Sequence, residues 1–211
     1  MKSFAVYASG RASRIINFYS YPENMSNYRA KKVIYDGDSS EIATLLSNMF
    51  GDDFFHFDLA KLDKKEQMKP HTTTSKFIHS IMNEFSIDYL LCFGGKILKK
   101  KFIDAYPNRL INFHPSILPA FKGVAAIDQA ISAGVEVLGN TVHYIDEGID
   151  TGEIILQTVM DASEFENYED VLELQLPMIE WVLVNIVKIK RKRPFVLSSR
   201  KKKYSMSIGR Y

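Results

Sequence analysis

The fold class follows from Phe4-Ala5-Val6-Tyr7-Ala8-Ser9-Gly10-Arg11-Ala12-Ser13-Arg14, in which a short buried strand leads directly into a glycine-containing turn. Ile15, Ile16 and Phe18 then have the spacing of a helix face. Similar changes recur downstream, with apolar segments at residues 30–35, 54–57 and 87–93 and amphipathic segments at residues 41–50 and 74–85. This alternation predicts an α/β fold whose mainly parallel, twisted sheet is covered by helices.

The second half of the chain has a less regular pattern. Its predicted elements are a strand at Leu110–His114, a helix at Ile127–Ala133, strands at Asn140–Ile145 and Glu153–Met160, a long helix at Tyr168–Lys190, and a terminal hairpin of Pro194–Leu197 with Tyr204–Ser207. We therefore expect one principal domain over residues 1–190 and a small basic C-terminal hairpin over residues 191–211.

The composition is that of an ordinary globular protein. The chain has 211 residues, of which 46% are hydrophobic and 25% are charged, and this balance argues against disorder. No apolar run approaches the 18 or so residues of a membrane span, and the first apolar run is too short for a signal peptide. The single cysteine, Cys92, excludes internal disulfides and a cysteine-rich zinc site. We expect a cytoplasmic protein that does not bind membranes.

The charges are distributed unevenly along the chain. Residues 181–211 contain ten Lys and Arg side chains and no acidic ones, which leaves 17 basic against 25 acidic side chains in residues 1–180. The basic runs at Lys188–Arg193 and Arg200–Lys203 could hold RNA phosphates. A solvated hairpin is the favoured interpretation, so we do not expect nucleic-acid binding. These runs could instead help to hold an anionic small molecule.

Two separated segments contain the residues that are suited to catalysis. Asn112 and His114 lie two apart in a predicted strand, so their side chains should share one face. The second segment, Asp146–Glu153, is acidic and contains two glycines that allow a sharp turn. An amide, an imidazole and a carboxylate in one cleft could catalyse acyl transfer. The five histidines lack metal-ligand spacing, and we predict no metal site.

The motifs Asn112-x-His114-Pro-Ser-x-Leu-Pro-x-x-x-Gly123, Gly139-Asn-Thr-Val-His143 and Asp150-Thr-Gly-Glu-Ile-Ile155 together resemble the folate-dependent formyltransferase family. The resemblance implies the formyltransferase fold with a Rossmann-like N-terminal half, and a catalytic domain at residues 1–190. It also implies N10-formyltetrahydrofolate as the cosubstrate and Asn112, His114 and Asp150 as the catalytic residues. In this mechanism Asn112 and a protonated His114 meet the oxyanion, while Asp150 handles the proton.

The resemblance also implies where the folate binds. Two segments fall on positions where family members contact it, and they consist of Gly95, Lys96, Ile97 and Leu98, and of Asp146, Glu147, Gly148 and Ile149. A third feature is Leu118-Pro119, where some members have a cis proline, and we predict a cis peptide bond there.

The acceptor is expected to be a small-molecule amine that carries phosphate. Its phosphate is predicted to lie on the turn after the first strand, at Gly10, Arg11, Ser13 and Arg14. Enzymes of the family that act on a ribonucleotide have Gly-x-Gly-Ser-Asn there, whereas this chain has Ala12 and Arg14 in place of the second glycine and the asparagine. They also usually have a histidine in the segment after Gly123, where this chain has Val124–Ile127.

These departures favour a nucleotide-linked amino sugar, such as a 4-amino-4,6-dideoxy hexose derivative, as the acceptor. One alternative is phosphoribosylglycinamide formyltransferase activity in purine biosynthesis. A second alternative is a non-catalytic binding protein on the same scaffold. Met178 and Trp181 on the last helix could face the partner in a homodimer, or could pack on the sheet.

Overall fold

The computed structural model describes residues 2–185 and 195–198, and it confirms the α/β prediction. The chain divides into two compact units, Met1–Ile111 and Asn112–Tyr211, with the boundary inside one strand. Among the residues described, no helix is both long and apolar enough to cross a membrane.

The first unit is a parallel sheet with interspersed helices. Its elements are β1 (Phe4–Ala8), α1 (Ser13–Tyr19), α2 (Pro22–Asn27), β2 (Lys32–Tyr35), α3 (Ser40–Phe50), β3 (Phe54–His56), α4 (Lys64–Gln67), α5 (Pro70–Glu84), β4 (Tyr89–Phe93), α6 (Lys100–Ala105) and the first residues of β5 (Leu110–His114). The strand order is β3-β2-β1-β4, and these neighbours are all parallel. The first-half strands therefore lie within two residues of the predicted ones, whereas α2, α4 and α6 were not predicted.

The burial of the strands in the first unit explains why their sequences are continuous apolar runs. All five residues of β1 and all four of β2 are buried, because strands inside a parallel sheet are covered on both faces. Successive side chains of a strand point to opposite faces, and Tyr7 is paired with Ile34 while Ala8 is paired with Tyr35. Tyr7 and Tyr35 therefore lie on opposite faces of the sheet.

The second unit begins within β5 and is built around an antiparallel pair. It contains α7 (Ala126–Ser132), β6 (Val137–Tyr144), β7 (Ile154–Asp161), α8 (Tyr168–Glu173), α9 (Gln175–Asn185) and β8 (Phe195–Ser198), and its strand order is β5-β6-β7-β8. Strands β6 and β7 are antiparallel, while β8 runs parallel to β7.

The structure changes two predictions about the last third of the chain. The long helix expected at Tyr168–Lys190 is two helices, because α8 ends at Glu173 and α9 begins at Gln175. The expected hairpin strand at 194–197 is present as β8, but the partner described for it is β7. The second hairpin strand and both basic runs lie outside the residues that the structure describes. Met178 is completely buried, so it cannot face a dimer partner.

A buried polar cluster joins the helices of the second unit to its sheet. Asn140 on β6 is fully buried, and its Nδ2 donates to the carbonyl of Val171 (2.7 Å) and to Oγ1 of Thr158 (3.3 Å). Gln175, at the start of α9, donates from Nε2 to Oδ1 of Asn140 (2.7 Å) and is also fully buried. Direct hydrogen bonds in this cluster connect α8 and α9 to β6 and β7.

Candidate active site

The carboxyl end of β5 presents two of the predicted catalytic side chains. Asn112 and His114 lie two residues apart in this strand, so their side chains share a face, as the sequence predicted. His114 is buried, with 4% of its surface exposed, and Asn112 is half-buried. Pro115 follows at once and cannot donate to a strand partner, which is consistent with the end of the strand at His114.

The loop between β6 and β7 brings Asp150 to the same face. Asp150 Oδ2 lies 3.3 Å from Nδ1 of His114, and Asp150 Oδ1 lies 3.4 Å from Nδ2 of Asn112. The backbone N–H of Gly123 donates to Asp150 Oδ2 at 2.8 Å. The structure therefore brings together Asn112, His114 and Asp150, the three residues that the sequence predicted as catalytic.

The conformation of this loop explains its sequence. Asp150 has a φ of +49°, a left-handed conformation that aspartate and asparagine adopt more readily than most residues. A side chain at Gly152 would collide with the carbonyl of Tyr144, so only glycine fits there. Asp146 Oδ1 accepts hydrogen bonds from the hydroxyl of Thr151 (2.7 Å) and from the N–H of Gly148 (3.1 Å). These bonds hold the segment that was predicted to contact folate.

His143 also belongs to this cluster, although the sequence analysis assigned no role to it. Its Nε2 lies 3.2 Å from Nδ2 of Asn112 and 3.5 Å from Oδ1 of Asp150. Its Nδ1 lies 2.8 Å from the carbonyl of Tyr144, which can only accept, so Nδ1 carries a proton. The alternation of side chains along a strand could have indicated where His143 points, because it lies on β6 and ends the Gly139–His143 motif.

The surroundings of His114 and Asp150 set their charges. Burial lowers the pKa of His114 below its ordinary value, and the Phe121 carbonyl and the Asp150 carboxylate only partly oppose this effect. Burial alone would raise the pKa of Asp150, but its contacts with His143, the Gly123 N–H and His114 hold it below the ordinary value. The free protein at neutral pH thus combines a neutral imidazole with an ionised carboxylate. The sequence interpretation placed a protonated His114 opposite the oxyanion during the reaction, and that expectation stays a prediction.

The positions of the protons follow from the fixed partners of His114. Its Nε2 lies 2.9 Å from the carbonyl of Phe121, which requires an N–H at Nε2. In the neutral ring Nδ1 then carries a lone pair, and this lone pair faces the Asp150 carboxylate. The His114–Asp150 pair can therefore bind one further proton, between Nδ1 of His114 and Oδ2 of Asp150. Ser116 donates to the carbonyls of Ala120 (2.7 Å) and Phe121 (3.3 Å) and so helps to fix this arrangement.

We expect His114 to make the protein less stable as the pH falls below about 6.5. In that range an unfolded chain binds a proton at His114 that the folded chain does not bind, so the free energy of unfolding decreases, by at most about 1.4 kcal/mol per pH unit for one group. Asp150 has a lowered pKa and affects stability only below about pH 4. Urea unfolding of the wild type and of His114→Gln, from neutral pH to about pH 5, should give a flatter pH dependence for the variant. Identical slopes would contradict this assignment.

The other predicted site residues lie in the first unit or in the loop already described. The Gly95–Leu98 segment follows β4, where the N–H of Gly95 donates to Ser9 Oγ (2.9 Å) and the N–H of Ile97 donates to His71 Nδ1 (3.1 Å). Ile97 is half exposed and Leu98 is buried. Asp146, Glu147, Gly148 and Ile149 lie in the second unit, and all four are partly or fully exposed. The predicted cis bond between Leu118 and Pro119 is confirmed.

The turn after β1 keeps a glycine-like backbone despite its altered sequence. Gly10 has a φ of +56°, and Ala12, which precedes α1, has a φ of +47°. An L-residue pays roughly 1 kcal/mol or more for this conformation, but Ala12 adopts it. Arg11 is exposed, and the Arg14 guanidinium lies 5.3 Å from the centre of the Phe93 ring. The replacement of glycine by Ala12 therefore does not indicate a different kind of turn.

Comparisons with known proteins identify the family. The model of the formyl transferase family matches residues 27–184, which is about three quarters of the chain. The chain belongs to the formyl transferase family. The predictions of this family, of a formyltransferase enzyme and of N10-formyltetrahydrofolate as the formyl donor are thereby confirmed. Within the residues described, no group of three or more His, Cys, Asp or Glu side chains could hold a metal ion.

Similar proteins correct the predicted acceptor. Phosphoribosylglycinamide formyltransferase of Bacillus subtilis is 33% identical over 174 residues, which cover 81% of this chain and 85% of that protein. The human trifunctional purine biosynthetic protein adenosine-3 is 45% identical over 82 residues, 38% of this chain and 8% of its own length. The solved phosphoribosylglycinamide formyltransferase of Bacillus halodurans has a TM-score of 0.70 and 26% identity, with 89% of this chain and 96% of that chain covered.

The prediction of a nucleotide-linked amino sugar as the acceptor is therefore wrong, and the stated purine alternative is the better supported one. The error came from reading two substitutions as changes of substrate. Ala12 keeps the left-handed backbone of a glycine, and Val124–Ile127 forms the entry to α7, where Val124 is 88% exposed.

Proposed function

We propose that this formyltransferase transfers the formyl group of N10-formyltetrahydrofolate to the primary amine of glycinamide ribonucleotide. The observation that carries the proposal is the cluster of Asn112, His114 and Asp150 in a chain that is similar to phosphoribosylglycinamide formyltransferases along most of its length. The acceptor bears one phosphate and one free amine, in agreement with the small phosphorylated amine that the sequence predicted.

The reaction exchanges one carbon–nitrogen bond for another. The amine nitrogen attacks the formyl carbon, and the carbonyl oxygen becomes an oxyanion before the bond to N10 of the folate breaks. The attacking amine loses one proton, and the leaving N10 nitrogen gains one. Catalysis therefore needs a hydrogen-bond donor for the oxyanion and a group that accepts and returns a proton.

The cluster contains groups for both tasks. The proton of the attacking amine binds between Nδ1 of His114 and Oδ2 of Asp150, and it then passes to the leaving nitrogen. When this proton is present, the imidazole of His114 is charged, and its positive charge stabilises the developing oxyanion. The amide of Asn112 donates from the same face of β5. His143 positions this amide through the 3.2 Å contact between its Nε2 and Nδ2 of Asn112.

The remaining predicted residues are assigned to binding. The Gly95–Leu98 segment and the Asp146–Ile149 segment contact the folate. Gly10, Arg11, Ser13 and Arg14 hold the phosphate of the acceptor, because backbone N–H groups and arginine forks both suit phosphate oxygens. We also propose a cytoplasmic location. A homodimer stays a prediction, which light scattering can test.

The proposed function is tested by release of tetrahydrofolate from N10-formyltetrahydrofolate. The wild type should turn over with glycinamide ribonucleotide, and His114→Ala should lower the rate at least about 100-fold. A dTDP-linked amino sugar serves as the control acceptor and should give no turnover. The wild type should also restore growth of a purine auxotroph that lacks this activity. Absence of turnover with glycinamide ribonucleotide would overturn the proposal.

A further inference from the structure

Two buried tyrosines of the first unit reach beyond the ends of their strands in a crossed arrangement. Tyr7 on β1 donates to the carboxylate of Asp36, which follows β2, at 2.7 Å. Tyr35 on β2 donates to the carbonyl of Gly10, which follows β1, also at 2.7 Å. Because the two side chains lie on opposite faces of the sheet, each strand fixes the loop that follows the other strand.

The carboxylate of Asp36 extends this arrangement to the loop after β4. Ser9 donates from Oγ to Asp36 Oδ1, while Tyr7 donates to Asp36 Oδ2. The same Ser9 Oγ accepts the N–H of Gly95 at 2.9 Å. One hydroxyl therefore connects the turn assigned to the acceptor phosphate with the segment assigned to the folate.

The two tyrosine rings also determine how closely these loops approach. A Cβ at Gly94 would collide with the Tyr7 ring, and a Cβ at Gly37 would collide with the Tyr35 hydroxyl. The loops after β2 and β4 thus lie directly against the tyrosines. Burial raises the pKa of both tyrosines, so the hydroxyls keep their protons and remain donors at any physiological pH.

We propose that Tyr7, Tyr35, Asp36 and Ser9 are positioning residues. They hold the acceptor turn (Gly10–Arg14) and the folate segment (Gly95–Leu98) at a fixed distance from each other. This inference rests on the proposed function for the identity of the two ligands. Tyr35 acts on the acceptor turn alone through the Gly10 carbonyl. Ser9 acts on both loops, because its hydroxyl contacts both Asp36 and the Gly95 N–H.

Tyr35→Phe tests the hydrogen bond from Tyr35 to the acceptor turn, since this substitution keeps the buried ring and removes only the hydroxyl. We expect the KM for glycinamide ribonucleotide to rise roughly fivefold, the loss of one hydrogen bond, while kcat and the KM for the folate change less than about twofold. Tyr19→Phe is the matched control, because Tyr19 is also buried and donates to a backbone carbonyl, that of Tyr28 (2.8 Å). Equal KM values for the two variants would overturn the role of Tyr35.

Ser9→Ala tests the link between the loops. We expect the KM values for both substrates to rise roughly three- to tenfold, and Ser9→Thr, which keeps a hydroxyl, should restore both. A rise in only one KM, or no rescue by threonine, would overturn the link.

Amide hydrogen exchange gives a readout that does not depend on the substrates. Ser9→Ala should speed exchange of the Gly95 amide by roughly threefold or more, and Tyr35→Phe should do the same for the Ala12 amide, which donates to the Ser9 carbonyl (3.2 Å). Tyr19→Phe should change neither amide. Unchanged exchange at both amides would overturn the positioning role even in an active enzyme. If the wild type failed to use glycinamide ribonucleotide while both amides responded, only the proposed function would be wrong.

Discussion

Replacing Asp150 with asparagine should lower kcat/KM for formyl transfer by about 10³-fold while the protein stays folded. Asparagine has the same shape, and it tolerates the left-handed backbone at φ +49° as well as aspartate does. The substitution removes the charge that faces Nδ1 of His114 at 3.3 Å. Without that charge the imidazole cannot hold the proton of the attacking amine, and the oxyanion loses the positive charge beside it.

For Asp150→Asn, comparing kcat/KM with the free energy of unfolding separates an effect on catalysis from an effect on stability. The contacts that hold the pKa of Asp150 below its ordinary value also stabilise the folded protein at neutral pH, so the free energy of unfolding of the variant should decrease slightly. Asp161→Asn is a suitable control, because Asp161 is exposed and accepts hydrogen bonds only from Ser163 within the residues described. Steady-state assays and urea unfolding of both variants check this prediction. An Asp150→Asn enzyme that kept a tenth of the wild-type kcat/KM would contradict the proton role of the His114–Asp150 pair.

Local patterns were sufficient to predict most of the first unit. Its strands are short apolar runs between turn residues, and a parallel sheet buries such strands on both faces. The relation between Asn112 and His114 followed from the strand period alone. By contrast, α4 lies in the charged segment 58–72, where the apolar period of a helix is absent. The division between α8 and α9 at Leu174 had a signal that the sequence interpretation missed, because Pro177 in the first turn of α9 has no N–H to donate to the carbonyl of Glu173.

Contacts between distant parts of the chain could not be read from such patterns. Asp150 meets His114 across 36 positions of sequence, and its place in the cluster was inferred from the family resemblance. The role of His143 was missed, because a single histidine within an apolar strand looks like an ordinary buried residue. The bond from Tyr7 to Asp36 depends on the pairing of β1 with β2, so no local signal exists for it.

The wrong acceptor shows a limit of reading single substitutions. A glycine in a phosphate-binding turn is commonly required for its positive φ, and its loss suggests a different turn. Ala12 has a φ of +47°, in the left-handed region that favours glycine, so this turn conformation does not require a glycine at position 12. The conformation of the turn, rather than the identity of one side chain, is what bears on the phosphate. Sequence alone shows only the side chain.

Replacing Asn140 with leucine should destabilise the protein by about 3 kcal/mol. The two side chains are similar in size, so the cavity is small, and the loss comes from unsatisfied polar groups. The carbonyl of Val171 and the Nε2 of Gln175 each lose a hydrogen bond of 2.7 Å in a region closed to water. Each buried group left without a partner costs about 1–3 kcal/mol. Urea unfolding at neutral pH measures the change, and a loss below about 1 kcal/mol would contradict it.

The double variant Asn140→Leu/Gln175→Leu shows whether the network or the volume is responsible. Leucine at position 175 removes the amide whose hydrogen bond to Asn140 is lost in Asn140→Leu, so the double variant should be more stable than the sum of the single losses by about 1–2 kcal/mol. Additive losses would instead indicate independent packing defects on β6 and α9. Because β6 also carries His143, loosening of this strand should lower kcat in Asn140→Leu, and the second substitution should restore part of it. That joint recovery of stability and rate would connect the buried cluster to the geometry of the active site.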